Sequence, residues 1–333
     1  MRMKAPTIDI VNFCNFTCRH CLVAKSAKPV YMEKEIFSDL MRQLRSLGFR
    51  YAGITGSGEL SLHPQLEDIF QILAENTIDF EILTNGYLFK DRIFPLIRSP
   101  HIRKRIRLVG FSLDSAQEEK HDRNRKEGSF RRVIEAIGMC RLLDIPCYIK
   151  TAVTNDNKEE LRDILLFTSG LNVISQSFMF IQPTRQLIEQ GLIPDPEDIY
   201  RLFIQLANWL PIFSRLKIEA FNPVNDIFTC NAFFKFGVDE EGNFLFCNNL
   251  CNVGTSADSY KGKECLGSIR EFPLTDLIVR HLNLLPDVLK WRFERKDLIK
   301  KAPLSLCNWC FFQFGKLDWL KEYPDSPWTR YLT

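Results

Sequence analysis

The run Thr7-Ile-Asp-Ile-Val-Asn-Phe-Cys-Asn-Phe-Thr-Cys-Arg-His-Cys-Leu22 joins a strand-like segment to three closely spaced cysteines. Residues 7–11 are rich in β-branched side chains, as a buried strand requires. Cys14, Cys18 and Cys21 follow at once, four and three residues apart. Thiolates at this spacing can hold three corners of a cubic iron–sulfur cluster. The fourth iron is then left without a protein ligand and open to a small molecule. A structural zinc takes four protein ligands, and no fourth cysteine or suitable pair stands nearby. His20 is a donor in principle, but next to Cys21 it reaches the same ion with difficulty. Spacing therefore favours an iron–sulfur cluster, with zinc or unrelated cysteines as the alternatives.

Outward from this run, short apolar segments alternate with longer amphipathic ones. Strands are expected at 7–11, 51–55, 80–84, 107–113, 147–153 and 177–181, and helices at 33–47, 65–75, 90–98, 130–143 and 159–168. Pro64 suits a helix start, and Asn157 with Glu160 three residues on reads as an N-cap. Repeated β-α units imply a parallel sheet covered by helices. A closed barrel, a partial barrel and an open sheet all fit, and each binds ligands at the C-terminal strand ends. Beyond residue 182 the pattern changes. Pro194-Asp-Pro-Glu197 opens a helix to about Trp209, residues 215–220 read as a strand, and 233–247 as a hairpin about Asp239-Glu-Glu-Gly242. Residues 274–301 read as a basic helical stretch interrupted by Pro286. Its basic side is a solvated face, or alternatively a surface for an acidic partner.

The chain's 333 residues suffice for one large domain and an appendage. With 45% hydrophobic and 26% charged residues it is an ordinary globular composition, and a net charge of +3 is too mild to argue for nucleic acid. Met1-Arg-Met-Lys4 runs straight into the first strand, and no apolar run approaches the ~18 residues of a membrane span. The expected compartment is a reducing cytoplasm. The 11 cysteines are accordingly read as metal ligands or thiols, not as a disulfide framework.

Polar tips close the expected strands: Gly53-Ile-Thr-Gly-Ser-Gly-Glu-Leu60, Thr84-Asn-Gly86 and Ser112-Leu-Asp114. Glycines let a backbone approach a ligand closely, and Glu59 can accept from an ammonium. Each tip is unremarkable alone; together they form a polar rim around one pocket.

On these residues the chain resembles the radical S-adenosylmethionine (SAM) enzymes. Cys14, Cys18 and Cys21 match the family's Cys-x3-Cys-x2-Cys motif, with His20 where an aromatic residue is usual. Gly56-Ser-Gly-Glu59 is similar to the glycine–glutamate motif that holds the methionine amine, although Ser57-Gly58 replaces the usual glycine pair. Thr84-Asn85-Gly86 and Ser112-Leu-Asp114 resemble the third- and fourth-strand motifs, which put Ser112 and Asp114 near the ribose or carboxylate. Arg125, within His121-Asp-Arg-Asn-Arg125, is the candidate for the methionine carboxylate, and Lys150 is a second. The resemblance covers roughly residues 7–185. It implies SAM chelated on the open iron, one-electron reduction of the sulfonium, and a 5′-deoxyadenosyl radical that takes a hydrogen atom from substrate. It also implies an electron donor such as flavodoxin or ferredoxin.

Cys230, Cys247, Cys307 and Cys310 form a second constellation. On spacing alone zinc and iron–sulfur are equal. The order Cys230, Gly242, Cys247, a gap, then Cys307-Asn-Trp-Cys310 resembles the "twitch" extension of radical enzymes. The fuller SPASM form has further cysteines, and none follow Cys310, so one auxiliary [4Fe–4S] cluster is expected. Leu266-Gly-Ser-Ile269 resembles a short glycine motif of that extension. Cys251 is the candidate hydrogen-atom donor, by similarity to epimerases of the superfamily, with Cys265 next; the plain alternative is an incidental thiol. Cys140 and Cys147 read as core, His63 and His121 as structural or surface residues.

The expected fold is a partial α/β barrel of six parallel strands. The core is placed at residues 1–185, a connecting helix and strand at 186–225, and a twitch-like auxiliary domain at 226–333. The expected function is radical modification at an unactivated C–H bond. The first substrate class is a ribosomally made peptide, undergoing epimerisation or thioether or carbon–carbon crosslinking; an aminocyclitol or sugar is the alternative. Residues 1–6 leave no room for a leader-binding domain, so peptide recognition is expected on another surface or protein. A non-catalytic scaffold with two zinc sites is the rival from another class.

Overall fold

The computed structural model describes residues 5–23, 28–213, 215–219, 230, 233–251, 262–297 and 306–330. Parallel strands follow chain order across one sheet: β1 (Thr7–Asp9), β2 (Tyr51–Thr55), β3 (Asp79–Thr84), β4 (Ile106–Ser112), β5 (Cys147–Val153), β6 (Ser175–Phe180) and β7 (Leu216–Glu219). Six parallel strands were expected. The seventh, β7, joins because its register with β6 sets Ser177 beside Lys217 and Phe178 beside Ile218. The architecture is otherwise the expected partial α/β barrel. Ile8, Ala52, Ile54, Phe80, Ile82, Val109, Phe111 and Ile149 are fully buried, as in parallel strands covered by helices.

The outer helices bury one stripe each. Lys34–Ser46 buries Phe37, Leu40, Met41 and Leu44, and Leu66–Glu75 buries Leu66, Ile69, Phe70 and Leu73. These spacings are the apolar face of a 3.6-residue period.

The C-terminal segment continues the same sheet. β8 (Gly237–Val238) lies parallel to β1, and β9 (Asn243–Leu245) and β10 (Cys265–Ser268) extend it antiparallel. The Thr7 N–H donates to Phe236 O at 3.0 Å across this seam. The β8–β9 turn is the expected hairpin: Gly242 takes φ of 87°, and Asp239 Oδ1 accepts from the Glu241 and Asn243 N–H groups. A second apolar cluster joins Phe178 and Phe203 of the barrel side to Phe246, Trp309, Phe311 and Trp328.

Several local expectations change. β1 stops at Asp9, and Val11 makes an antiparallel bridge to Tyr31. The helix expected at 90–98 is a wide π turn, Phe89–Ile93, leading into Phe94–Ile97; Pro95 has no N–H to close an α-helical bond there. Glu118–Asn124 is helical although it buries only His121 and Asn124, too little for an apolar stripe to mark it. Asn157 does not cap with its side chain; its Nδ2 donates to Asp114 O and Ala152 O, tying β4 to β5. Leu274–Glu294 runs unbroken through Pro286. An interior proline costs ~3 kcal/mol, and the buried stripe Leu274, Leu277, His281, Leu285, Val288 and Arg292 spans both sides of it.

Candidate functional site

The cysteine loop leaves β1 and is seated on the turn that leaves β2. The Gly58 N–H donates to Val11 O at 2.9 Å and the Glu59 N–H to Phe13 O at 2.8 Å. A Cβ on Gly58 would stand 1.9 Å from Phe13 O, and one on Gly56 2.9 Å from Val11 O. The glycines are thus required first by the cysteine loop itself, whereas the sequence reading assigned them to ligand approach. The loop's far end is fixed by the Arg19 N–H donating to Asn124 O at 3.1 Å and by the Arg19–Asp156 ion pair at 2.6 Å.

Glu59 is the hub beneath this loop. Its Oε1 accepts from Thr84 Oγ1 at 2.6 Å and from the Ser61 N–H, and its Oε2 accepts from the Asn85 N–H at 2.7 Å. Burial raises the Glu59 pKa above the usual carboxylate value despite these donors. Asn85 Nδ2 donates to Asn15 Oδ1 at 2.9 Å and lies 3.9 Å from Cys14 Sγ. Burial pushes the Cys14 thiol up to about 11, with Glu59 and the other two thiols adding to it.

Asp114 does not reach the cavity. It is 1% exposed and receives the Arg125 guanidinium in a two-point fork, with Nη2 to Oδ1 at 3.1 Å. Burial alone would raise its pKa; Arg125 and His20 outweigh that and hold it well below the usual carboxylate range. Removing one partner of such a buried pair typically costs ~3–5 kcal/mol, so Asp114 anchors Arg125. His20 Nε2 lies 3.5 Å from Asp114, turned toward the carboxylate. His121 Nδ1 accepts from the Asp114 N–H, and His63 joins Met32 O to the Gln65 N–H, so both are structural. Lys150 pairs with Glu219 of β7 at 2.8 Å.

A cavity of about 300 Å³ opens beside the loop at the strands' C-terminal ends. Cys14, Cys18, Cys21, Gly56, Gly58, Glu59, Thr84, Asn85, Ser112, Arg125 and Lys150 all line it. Its other wall is largely apolar: Leu22, Met179, Phe180, Ile181 and Phe311. Gln182 and Asn249 also face it and were not anticipated. Gln182 follows the end of β6, so the strand-end rule that found the other tips points to it too.

Cys230, Cys247, Cys307 and Cys310 pack in or against the second apolar cluster and feel one another's charge. Burial first, and then the charges of neighbouring thiols, raise the pKa values of Cys247 and Cys307. Arg292, fully buried, donates to Cys310 Sγ at 2.7 Å. The basic composition of 274–301 predicts a solvated face, whereas Arg292 lies on the buried stripe of its helix. Among the described residues, no three His, Cys, Asp or Glu side chains converge as ligands of a single metal ion must. Cys265 opens β10 half-buried. Cys251 ends the turn Asn248–Cys251, and its side chain lies outside the described residues. Cys140 and Cys147 are buried core thiols, as expected.

Residues 8–168 match the family model described as the Radical SAM superfamily. They form a radical SAM domain. Over 300 residues the chain is 24% identical to a GTP 3',8-cyclase of Alkaliphilus oremlandii, covering 86% of this chain and 88% of that protein. It is 28% identical over 177 residues to the antilisterial bacteriocin subtilosin biosynthesis protein AlbA of Bacillus subtilis, covering 53% of this chain and 39% of AlbA. Among solved structures, Streptococcus suis SuiB bound to precursor peptide SuiA superposes with a TM-score of 0.65 at 16% identity, covering 83% of this chain and 64% of SuiB. The match to that family implies SAM and a [4Fe–4S] cluster as cofactors. Among the described residues no helix is long and apolar enough to cross a membrane.

Proposed function

We propose that this protein is a radical SAM enzyme that modifies a ribosomally made peptide at an unactivated C–H bond, aided by one auxiliary [4Fe–4S] cluster. The observation that carries the reading is one cavity walled on one side by Cys14, Cys18 and Cys21 and on another by Asn249 and Phe311 of the C-terminal segment. In this reading Cys14, Cys18 and Cys21 hold the first cluster. Glu59, Thr84 and Asn85 receive the methionine amine, Arg125 and Lys150 its carboxylate, and Ser112 the ribose. When bound, the cluster and SAM supply a carbon-centred radical that removes a hydrogen atom from the substrate, using an electron from a donor such as flavodoxin or ferredoxin. The protein's own part is electrostatic and steric. Glu59, raised by burial, is offset by the incoming ammonium; the apolar wall of Met179, Phe180, Ile181 and Phe311 excludes water and seats an apolar substrate group.

Cys230, Cys247, Cys307 and Cys310 hold the auxiliary cluster, and the twitch-type segment spans residues 226–333. Cys251 stays the first candidate hydrogen-atom donor. AlbA's bacteriocin pathway and SuiB's precursor peptide support the peptide class. The GTP cyclase match, spanning most of both chains, supports a small-molecule substrate as the second reading.

The test is anaerobic reconstitution, then SAM and a reductant, with 5′-deoxyadenosine as readout. The parent forms it; the combined Cys14→Ala, Cys18→Ala and Cys21→Ala variant forms none yet keeps the auxiliary iron. Persistent SAM cleavage by that variant would overturn the site. Faster cleavage with a peptide, or with a nucleotide or sugar, chooses between the substrate classes.

A further inference from the structure

Arg292 is a fully buried cation in the C-terminal segment. It is 0% exposed, on the buried stripe of its helix with Leu285 and Val288. Taking a guanidinium out of water costs several kcal/mol unless an opposite charge stands beside it. The structure sets sulfur beside it: Cys310 Sγ accepts at 2.7 Å, and the guanidinium carbon lies 5.1 Å from the Phe233 ring centroid. Phe233 follows Cys230 by three residues, so the cation is held between two of the four cysteine segments.

Neutral thiols are poor partners for a buried cation. A cluster closed by four thiolates carries net negative charge at both redox levels, and more when reduced. The donor set therefore fits a cluster with a cation built against it. We propose that Arg292 is the counter-ion of the auxiliary cluster: by donating to the Cys310 sulfur it stabilises the reduced form and raises the reduction potential. Hydrogen bonds to sulfur and local charge are among the protein's levers on such potentials. This rests on the reading that Cys230, Cys247, Cys307 and Cys310 hold a cluster. Arg292 is a positioning residue: it does not line the SAM cavity and acts only through the sulfur.

The experiment uses the full chain carrying Cys14→Ala, Cys18→Ala and Cys21→Ala, so that only the auxiliary cluster contributes. Iron and sulfide are measured, and the potential is read by electron paramagnetic resonance during a redox titration. Arg292→Met and Arg292→Gln should titrate at lower potential, by at least a tenfold change in the reduction equilibrium, which is 59 mV for one electron. Arg292→Lys, which keeps the charge, should lie between them and the parent. If Met and Gln variants hold their iron and titrate at the parent potential, the inference is wrong. If those two lose iron while the Lys variant keeps it, the charge is needed to hold the cluster, which supports the inference. If all three fold yet lose iron alike, shape and not charge is required, and the inference fails. If the background chain itself binds no iron, the auxiliary-cluster reading has failed instead.

Discussion

Glu240 sits in the β8–β9 turn with its Oε2 buried and no partner for that atom. Burial, joined by Asp239, Asp9 and Glu241, lifts its pKa from 4.5 to about 8. Between these values the folded chain keeps a proton that the unfolded chain releases. The folded state then binds more protons, so stability falls as pH rises through the window. Glu240→Gln has no such charge to bury. Its melting temperature should match the parent near pH 5 and exceed it near pH 8.5, by at least about 2–4 °C, the shift per kcal/mol. Parallel curves would show that Glu240 ionises without cost. At this scale the placement of Cys14, Cys18, Cys21 and Glu59 around one cavity was legible because each follows the end of a strand. Asp114 and Arg292 were not, since each is defined by a partner: the Arg125 fork closes across the Glu118–Asn124 helix, and Arg292 meets Cys310 only through tertiary packing.

Among the elements, the loop after β1 and the turn after β2 form one unit, joined by the bonds from Gly58 and Glu59 to Val11 O and Phe13 O. Gly58→Ala puts a methyl group where Phe13 O stands 1.9 Å away. Backbone must move to relieve it. The expected result is native far-ultraviolet circular dichroism, with iron content falling to that of the variant lacking Cys14, Cys18 and Cys21. Full iron and unchanged 5′-deoxyadenosine formation in Gly58→Ala would rule out this seat. The strands β2 to β5 were legible because their apolar runs are short, β-branched and flanked by turn residues. The place of β7 was not: Leu-Lys-Ile-Glu reads as a strand from its residues, but its parallel pairing with β6 is decided by the rest of the sheet. Pro286 misled for a related reason, since the buried stripe on both sides of it outweighs one missing hydrogen bond.

Over the whole molecule, β8 pairs with β1, and the second apolar cluster joins Phe178 and Phe203 to Phe246 and Trp309. The C-terminal segment is therefore bound to the barrel through both a strand ladder and a core. Hydrogen exchange should find the amides of β8 and β9 protected to the same degree as those of β1 and β2, with one cooperative unfolding transition for all of them. Exchange in β8 and β9 orders of magnitude faster would mean that the segment opens independently. The alternating pattern made the barrel legible; the seam was hidden because β8 is two residues long, too short for any period to mark it.

The bond between the cysteine loop and the 56–59 turn has a meaning for transplantation. Three cysteines copied into another scaffold lack their mould, because the surface that shapes them belongs to a segment on the far side of a helix. A working graft must carry both pieces, and a change of length in one demands an answering change in the other. The two segments work as one part, although the chain writes them separately.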